Sequence, residues 1–262
     1  MAGSTQSIPN YAEALYEAER NLKAIAPLSA EDEHLTVEDA YQIQLYNVAR
    51  KTREGDRVVG YKVGLTSQPM QQMLGVPEPD FGHLFASMHY QSGDVVEHPL
   101  IQPKVEPEIA FLLKEDLSGG RISVQDVIQA IAYVLPALEI IDSRVTDWNI
   151  RLVDTVADNA SAGCFALGDM PTDIHNVDLG TVGGTLRVNG QVVETGAGAA
   201  VLGHPAASVA WLANKLNALG TTLQKGSVIL SGSVSSAVPV KPGDRVSLSF
   251  GRLGRVAVTL RA

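Results

Sequence analysis

The chain has 262 residues, enough to bury a sizeable core as one large domain or two small ones. Hydrophobic residues make up 45% and charged residues 19%, ordinary globular proportions that exclude a disordered chain. With 20 Lys+Arg against 29 Asp+Glu, the net charge of −9 and the lack of a basic cluster exclude nucleic acid as a partner.

Leu15, Ala18, Leu22 and Ile25 form one stripe of an amphipathic helix that the spacing carries to Pro27. Glu13, Glu17, Glu19 and Arg20 break what would be the apolar part of a signal peptide, so none is expected. No run of 18 apolar residues offers a membrane span, and no membrane partner is expected. A capping box at Thr36–Asp39 opens a second helix through Tyr41, Leu45 and Val48 to Gly55. A shorter helix is expected after Ser67, with Pro69 in its first turn, Met70, Met73 and Leu74 on one face, and Gly75 at its end.

Beyond about residue 90 the pattern turns to strands: 105–113, 137–143, 162–168, 227–232 and 245–260 are β-rich runs bounded by turn formers. Asn189-Gly190 predicts a hairpin, because it supplies the positive φ that a type I′ turn needs. Two helices interrupt the strands. Ser123-Val124-Gln125-Asp126 caps one carrying Val124, Val127, Ile128 and Ile131, and His204-Pro205 starts another that ends at Gly220. The fold class is therefore α+β, with a small helical N-terminal region (1–80) and a mixed-sheet body (81–262). Whether the two are separate or continuous is left open. The single cysteine, Cys164, excludes a disulfide framework and a cysteine-based zinc site, and suits a cytoplasmic setting.

Several chemistries lack their motif. There is no G-x-x-x-x-G-K-[ST], no His-Glu-x-x-His, and only a broken dinucleotide fingerprint at Gly196–Val201. The region Asn159–Gly163 half resembles a nucleophile elbow but has Asn159 where a glycine belongs.

The informative segment is Lys104-Val105-Glu106-Pro107-Glu108-Ile109. On a strand, Glu106 and Glu108 share a face while Pro107 turns away, and its missing N–H places it at an edge or bulge. Glu139 lies inside an apolar strand, so it must be protonated, paired or bound to a cation. One reading makes the first two a solvated edge and pairs Glu139 with Lys104 or Arg144. The other has the three carboxylates hold a hard ion such as Mg²⁺ or Mn²⁺, leaving positions open for substrate. Lys62, in Gly60–Ser67, reads as a lysine whose pKa is lowered by burial, as a holder of an anionic substrate, or as an edge lysine. The polar run Asp154–Ser161 reads as a hydrogen-bonding segment or an Asx-rich turn.

Together, Gly60-Tyr61-Lys62-Val63-Gly64-Leu65-Thr66, Pro79-Asp80-Phe81-Gly82, Lys104–Glu108, Pro136–Glu139 and Val156–Ser161 resemble the 2-hydroxypentadienoate hydratase / 4-oxalocrotonate decarboxylase family of the fumarylacetoacetate hydrolase superfamily. The resemblance runs along nearly the whole chain. It implies a mixed β-roll with a divalent metal, Mg²⁺ or Mn²⁺, on Glu106, Glu108 and Glu139. It also implies catalytic roles for Lys62 and Asp80, and substrate contacts at Ser161 and Leu65. Family members serve meta-cleavage degradation of aromatic compounds and assemble as pentamers or decamers, some in complex with a neighbouring pathway enzyme.

The segments around Asp80, Trp148 and His204 resemble the hydratase branch, whereas Leu230–Ser233 and Ala237–Val240 have decarboxylase flavour. No histidine has a glutamate three residues on, the lid pair of the hydrolytic branch. The expected activity is hydration of 2-hydroxypenta-2,4-dienoate to 4-hydroxy-2-oxopentanoate. The alternatives are decarboxylation of 2-oxo-3-hexenedioate and a non-enzymatic binder of small 2-oxo acids.

Overall fold

The computed structural model describes residues 7–67, 71, 72, 76 and 78–262. Helix α1 (Ser7–Arg20) buries Ala12, Leu15 and Ala18 along one stripe, as the spacing predicts. It stops short of Leu22 and Ile25. Leu22 takes a left-handed φ of 50°, while the Leu22 and Lys23 N–H groups reach back to the Glu19 and Ala18 carbonyls. This is a Schellman cap without its usual glycine, which is why the sequence hides it. Ile25 instead pairs its backbone with Val145.

After the single turn α2 (Leu28–Glu31), α3 (Val37–Arg53) opens on the predicted capping box, Thr36 and Asp39 each accepting the other's N–H. The short helix expected around Pro69, Met70, Met73 and Leu74 falls largely outside the described residues. Helix α4 (Val124–Ala130) has its capping box between Ser123 and Asp126, but Ile131 begins the next strand rather than extending the stripe. Helices α5 (Leu152–Ala157) and α6 (Pro205–Ala218) follow, α6 with Pro205 in its first turn.

Seven strands run through a large mixed sheet in the order β2 (Asp80–Phe85), β1 (Val58–Gly64), β10 (Val228–Leu230), β5 (Lys104–Leu113), β6 (Ile131–Ile141), β7 (Ala162–Leu167) and β3 (His89–Gln91). An eighth, β11 (Val238–Pro239), joins β5 beside β10. A second sheet runs β4 (Val95–Val96), β13 (Gly254–Leu260), β12 (Arg245–Phe250), β8 (Gly183–Val188) and β9 (Gln191–Ala197), packing on β6 and β7. The run 245–260 is thus two strands, turning where Arg252 has a φ of 70°. Asn189 and Gly190 turn the β8–β9 hairpin with φ of 51° and 83°, the predicted type I′ geometry.

Strand β6 starts five residues before Pro136 and passes through it. The Pro136 carbonyl accepts from Gly168, just past the end of β7, so the proline nitrogen on the same side faces a place where no strand needs its proton. Strand β1, within the first 80 residues, pairs with both β2 and β10 and so is part of the large sheet. Phe81, Phe85, Phe111 and Phe165 are buried, Phe81 against Tyr41 of α3 and Trp211 of α6. Each such side chain contributes about 1.5–3 kcal/mol, which pins the strands carrying the polar groups described below.

Candidate active site

In the β5–β6 ladder, Glu106 stands directly opposite Glu139. Opposed residues of an antiparallel pair share a face, and Glu108 lies two residues along on that same face. One oxygen from each of the three carboxylates lies within 4.8 Å of the others. Glu108 and Glu139 are buried, so the solvated-edge reading is excluded for them. Strand β5 is central, not an edge. Its pairing with β10 covers residues 110–112 and that with β11 covers 104 and 105, leaving Pro107 in the gap between.

Glu108 Oε1 and both oxygens of Glu139 have no hydrogen-bond partner, while Glu108 Oε2 accepts the Gly232 N–H at 2.8 Å. Burial, then repulsion from Glu139, pushes Glu106 up to about 7, and burial drives Glu108 well above the carboxylate range. Burial also raises Glu139. Its cationic neighbour is Lys62 on β1, with Nζ 3.3 Å from Oε1. Lys104 instead stacks over the Trp148 ring, and Arg144 pairs with Asp158. Lys62 Nζ also donates to the Ala160 carbonyl at 2.9 Å. Burial alone would lower the Lys62 pKa, but Glu139, Asp80, Glu106 and Glu108 outweigh it and hold the ammonium protonated, above its ordinary value.

Asp80, on β2, is the register partner of Gly64 on β1. Its Oδ2 accepts the Thr155 hydroxyl at 2.6 Å, and its buried Oδ1 has no partner. A Cβ on Gly64 would lie 2.2 Å from Asp80 Oδ1 and 3.1 Å from Lys62 Nζ. Glycine therefore leaves the room that the carboxylate and the ammonium share. Leu65 follows at a left-handed φ of 53°, its carbonyl accepting from the Gln71 side chain. Strain of this kind gathers at functional sites. Ser161 is buried next to Ala160, with its hydroxyl on Asp158 Oδ2 at 3.3 Å. The fold thus brings Lys62, Asp80, Glu106, Glu108 and Glu139 together, with Ser161 in the adjoining turn and Leu65 just past the end of β1.

Three further residues support this cluster and escape sequence reasoning: Thr155 on Asp80, Asn159 in the turn that meets Lys62, and Gly232 on Glu108. Thr155 and Asn159 lie in the polar run Asp154–Ser161, whose density of hydrogen-bonding groups was the available signal. Gly232 gives none, because its contribution is a backbone N–H.

Glu108 Oε1 and Glu139 Oε2 have neither a hydrogen bond nor an ion pair, and Glu139 Oε1 has only the Lys62 ammonium; buried oxygens so placed are costly unless a cation takes them up. An all-oxygen, triply anionic donor set fits a hard divalent ion. The fumarylacetoacetate (FAA) hydrolase C-terminal profile matches residues 45–261. The chain is 45% identical to 2-hydroxyhexa-2,4-dienoate hydratase of Comamonas testosteroni over 256 residues, covering 97% of both chains. It is 48% identical to 2-keto-4-pentenoate hydratase of Paraburkholderia xenovorans (strain LB400) over 246 residues, 94% of this chain and 91% of that one. A solved structure, 4-oxalocrotonate decarboxylase from Pseudomonas putida G7 complexed with magnesium and adipate, superposes with a TM-score of 0.95 at 38% identity, covering 99% of each chain. The profile match, these identities and the shared fold lead to one assignment: the chain belongs to the fumarylacetoacetate hydrolase C-terminal family.

Proposed function

We propose that this chain is a metal-dependent hydratase, a carbon–oxygen lyase adding water to 2-hydroxypenta-2,4-dienoate or a close homologue to give 4-hydroxy-2-oxopentanoate. The observation that carries the reading is the carboxylate trio, two of its members buried and Glu106 half-buried, with an ammonium and an unpartnered aspartate oxygen at its edge. It occurs in a chain 45% and 48% identical to named hydratases.

Glu106, Glu108 and Glu139 would hold the divalent cation, Mg²⁺ or Mn²⁺. When bound, that ion supplies Lewis acidity toward the substrate's carboxylate and 2-oxygen. The chain's own residues move the protons. Lys62, held charged, donates toward negative charge that develops on the substrate, in a site too dry to screen it. Asp80 Oδ1, with Oδ2 fixed by Thr155, is the free acceptor that orients water and takes its proton. Carbon C5 gains a proton as the enol becomes a conjugated 2-oxo acid, and water then adds across C3 and C4. Ser161 and Leu65 border the substrate. The setting is meta-cleavage degradation of aromatic compounds in the cytoplasm. The reading includes assembly as a pentamer or decamer and a complex with a neighbouring pathway enzyme, both measurable by analytical ultracentrifugation.

A second reading, decarboxylation of 2-oxo-3-hexenedioate, draws on the superposition with the decarboxylase. That substrate has a second carboxylate to hold. The two buried Lys or Arg side chains among the described residues, Lys62 and Arg144, are both committed to carboxylates. The deciding assay offers both substrates to chelated protein before and after Mg²⁺ is restored. Hydration of the dienoate on add-back is expected, and CO₂ release with negligible hydration would overturn the choice.

A further inference from the structure

Lys62 is gripped from two sides, by Glu139 and by the backbone carbonyl of Ala160. That carbonyl belongs to a turn in which Asn159, Ala160 and Ser161 have φ of 54°, 51° and 52°. Three successive left-handed residues without glycine need something to hold them. On one side, Asp158 accepts from the Arg144 backbone N–H and guanidinium, while Arg144 also donates to the Asp158 and Ala162 carbonyls. On the other side the holder is Asn159. Its Oδ1 accepts the His83 N–H at 2.7 Å and its Nδ2 donates to the His83 carbonyl at 2.9 Å. One amide side chain thereby fills both hydrogen-bonding positions of His83, as a neighbouring strand would. The approach is close because Gly82 has no side chain: a Cβ there would lie 2.3 Å from the Asn159 carbonyl oxygen. Gly82 is also the register partner of Lys62.

We propose that Asn159 is a positioning residue: docked on β2 at Gly82 and His83, it fixes the Ala160 carbonyl that aims the Lys62 ammonium. This rests on the assignment of Lys62 to proton transfer. Asn159 itself touches neither the carboxylate trio nor Asp80 in any hydrogen bond described.

The test is a double-mutant cycle in the full chain, run on whichever of the two candidate substrates the wild type turns over. Asn159→Ala is expected to lower kcat by about ten- to a hundredfold, the usual consequence of angstrom-scale misplacement. KM and Mn²⁺ affinity, followed by electron paramagnetic resonance, should stay within about threefold. In a Lys62→Ala background, Asn159→Ala should cost nothing further, because its effect passes through the missing ammonium. A loss that multiplies with that of Lys62→Ala overturns the proposal. Asn159→Asp keeps the left-handed preference and the acceptor but gives up the donor, so it should lose less activity, and it carries the same cycle if Asn159→Ala does not fold. A crystal structure of either variant adds a readout that needs no substrate, the Lys62 Nζ to Ala160 oxygen distance. A slowed enzyme that keeps this contact refutes the positioning role. A wild type inactive on both acids refutes the function, and the crystallographic distance still decides the case for Asn159.

Discussion

Chelating the protein and then restoring Mg²⁺ should raise its melting temperature, by an amount that shrinks as the pH falls. Free Mg²⁺ at 100 times its dissociation constant stabilises the native state by about 2.7 kcal/mol. For a chain of this size that is roughly 5–10 °C. The pH dependence follows from the buried carboxylates. Glu106 is pushed up to about 7 in the metal-free protein, so at pH 6 only about one molecule in eleven has it ionised, against about ten in eleven at pH 8. Binding at pH 6 must therefore first remove a proton, at a cost of about 1.4 kcal/mol for each pH unit below that value. Glu108, which burial also holds well above the ordinary carboxylate range, adds to this cost.

The metal-free protein changes the other way. A carboxyl with a folded pKa raised from 4.5 contributes stability that is complete below 4.5 and is lost as the pH climbs through about 7. The metal-induced shift is therefore largest near pH 8. Differential scanning calorimetry of chelated and reloaded protein at pH 6, 7 and 8 measures it. No shift with Mg²⁺, Mn²⁺ or Ca²⁺, or a shift that grows toward acid, would refute the assignment of the three glutamates.

Gly232→Ala should weaken Mn²⁺ binding about 10–100-fold, because φ is +107°, a Cβ would meet Thr66 Oγ1 at 2.4 Å, and the N–H on Glu108 would be displaced. Titration with Mn²⁺ reads this directly, and unchanged affinity removes Gly232 from the site. His83, which burial lowers to about 4, stays neutral in the native state while the unfolded chain takes up a proton below 6.5. Its contribution is absent above pH 6.5 and destabilises progressively toward pH 4, by up to about 3 kcal/mol. Urea midpoints for wild type and His83→Gln across that window should diverge, and parallel curves would disprove it. Arg144→Met leaves Asp158 buried without its cation and should destabilise by about 3–5 kcal/mol, whereas a loss below about 1 kcal/mol in urea denaturation would show that the pair is dispensable.

The parts of this molecule legible in sequence are those whose cause is local. The capping boxes at Thr36 and Ser123, the Asn189-Gly190 hairpin and the start of α6 at Pro205 each depend on residues within a few positions. The α1 terminus was misread because Leu22 takes the position usually held by glycine. Strands β3, β4 and β11 have only two or three residues each, and their partners lie far along the chain. The site divides in the same way. Strand period alone puts Glu106 beside Glu108. Placing Glu139 opposite Glu106 requires the β5–β6 register, and bringing Lys62 to Glu139 requires β1 to reach β5 through β10. The residues themselves single out Glu139 and Lys62 but leave their partners open, and family resemblance makes the choice, because tertiary register is not written in spacing.

The irregular stretch beside β5 then has a physical reason. Ser231 N–H bonds the Ile109 carbonyl and Val234 N–H bonds the Pro107 carbonyl, so three steps along one segment face two along the other. That is a one-residue bulge, with Gly232 at a φ only glycine takes readily. In an unbroken antiparallel ladder the next N–H on a β5 carbonyl would be that of Ser233, two residues on; here the bulge passes that bond to Val234, and Gly232 between them places its N–H on Glu108 Oε2. Pro107 completes the arrangement, because its nitrogen faces the bulge and has no proton to leave unsatisfied. The Glu-Pro-Glu spacing and the glycine after Ser231 are therefore two halves of one device. The proline lets the ladder open beside Glu108, and the glycine uses the opening to fix one carboxylate oxygen while Oε1 stays free for a cation.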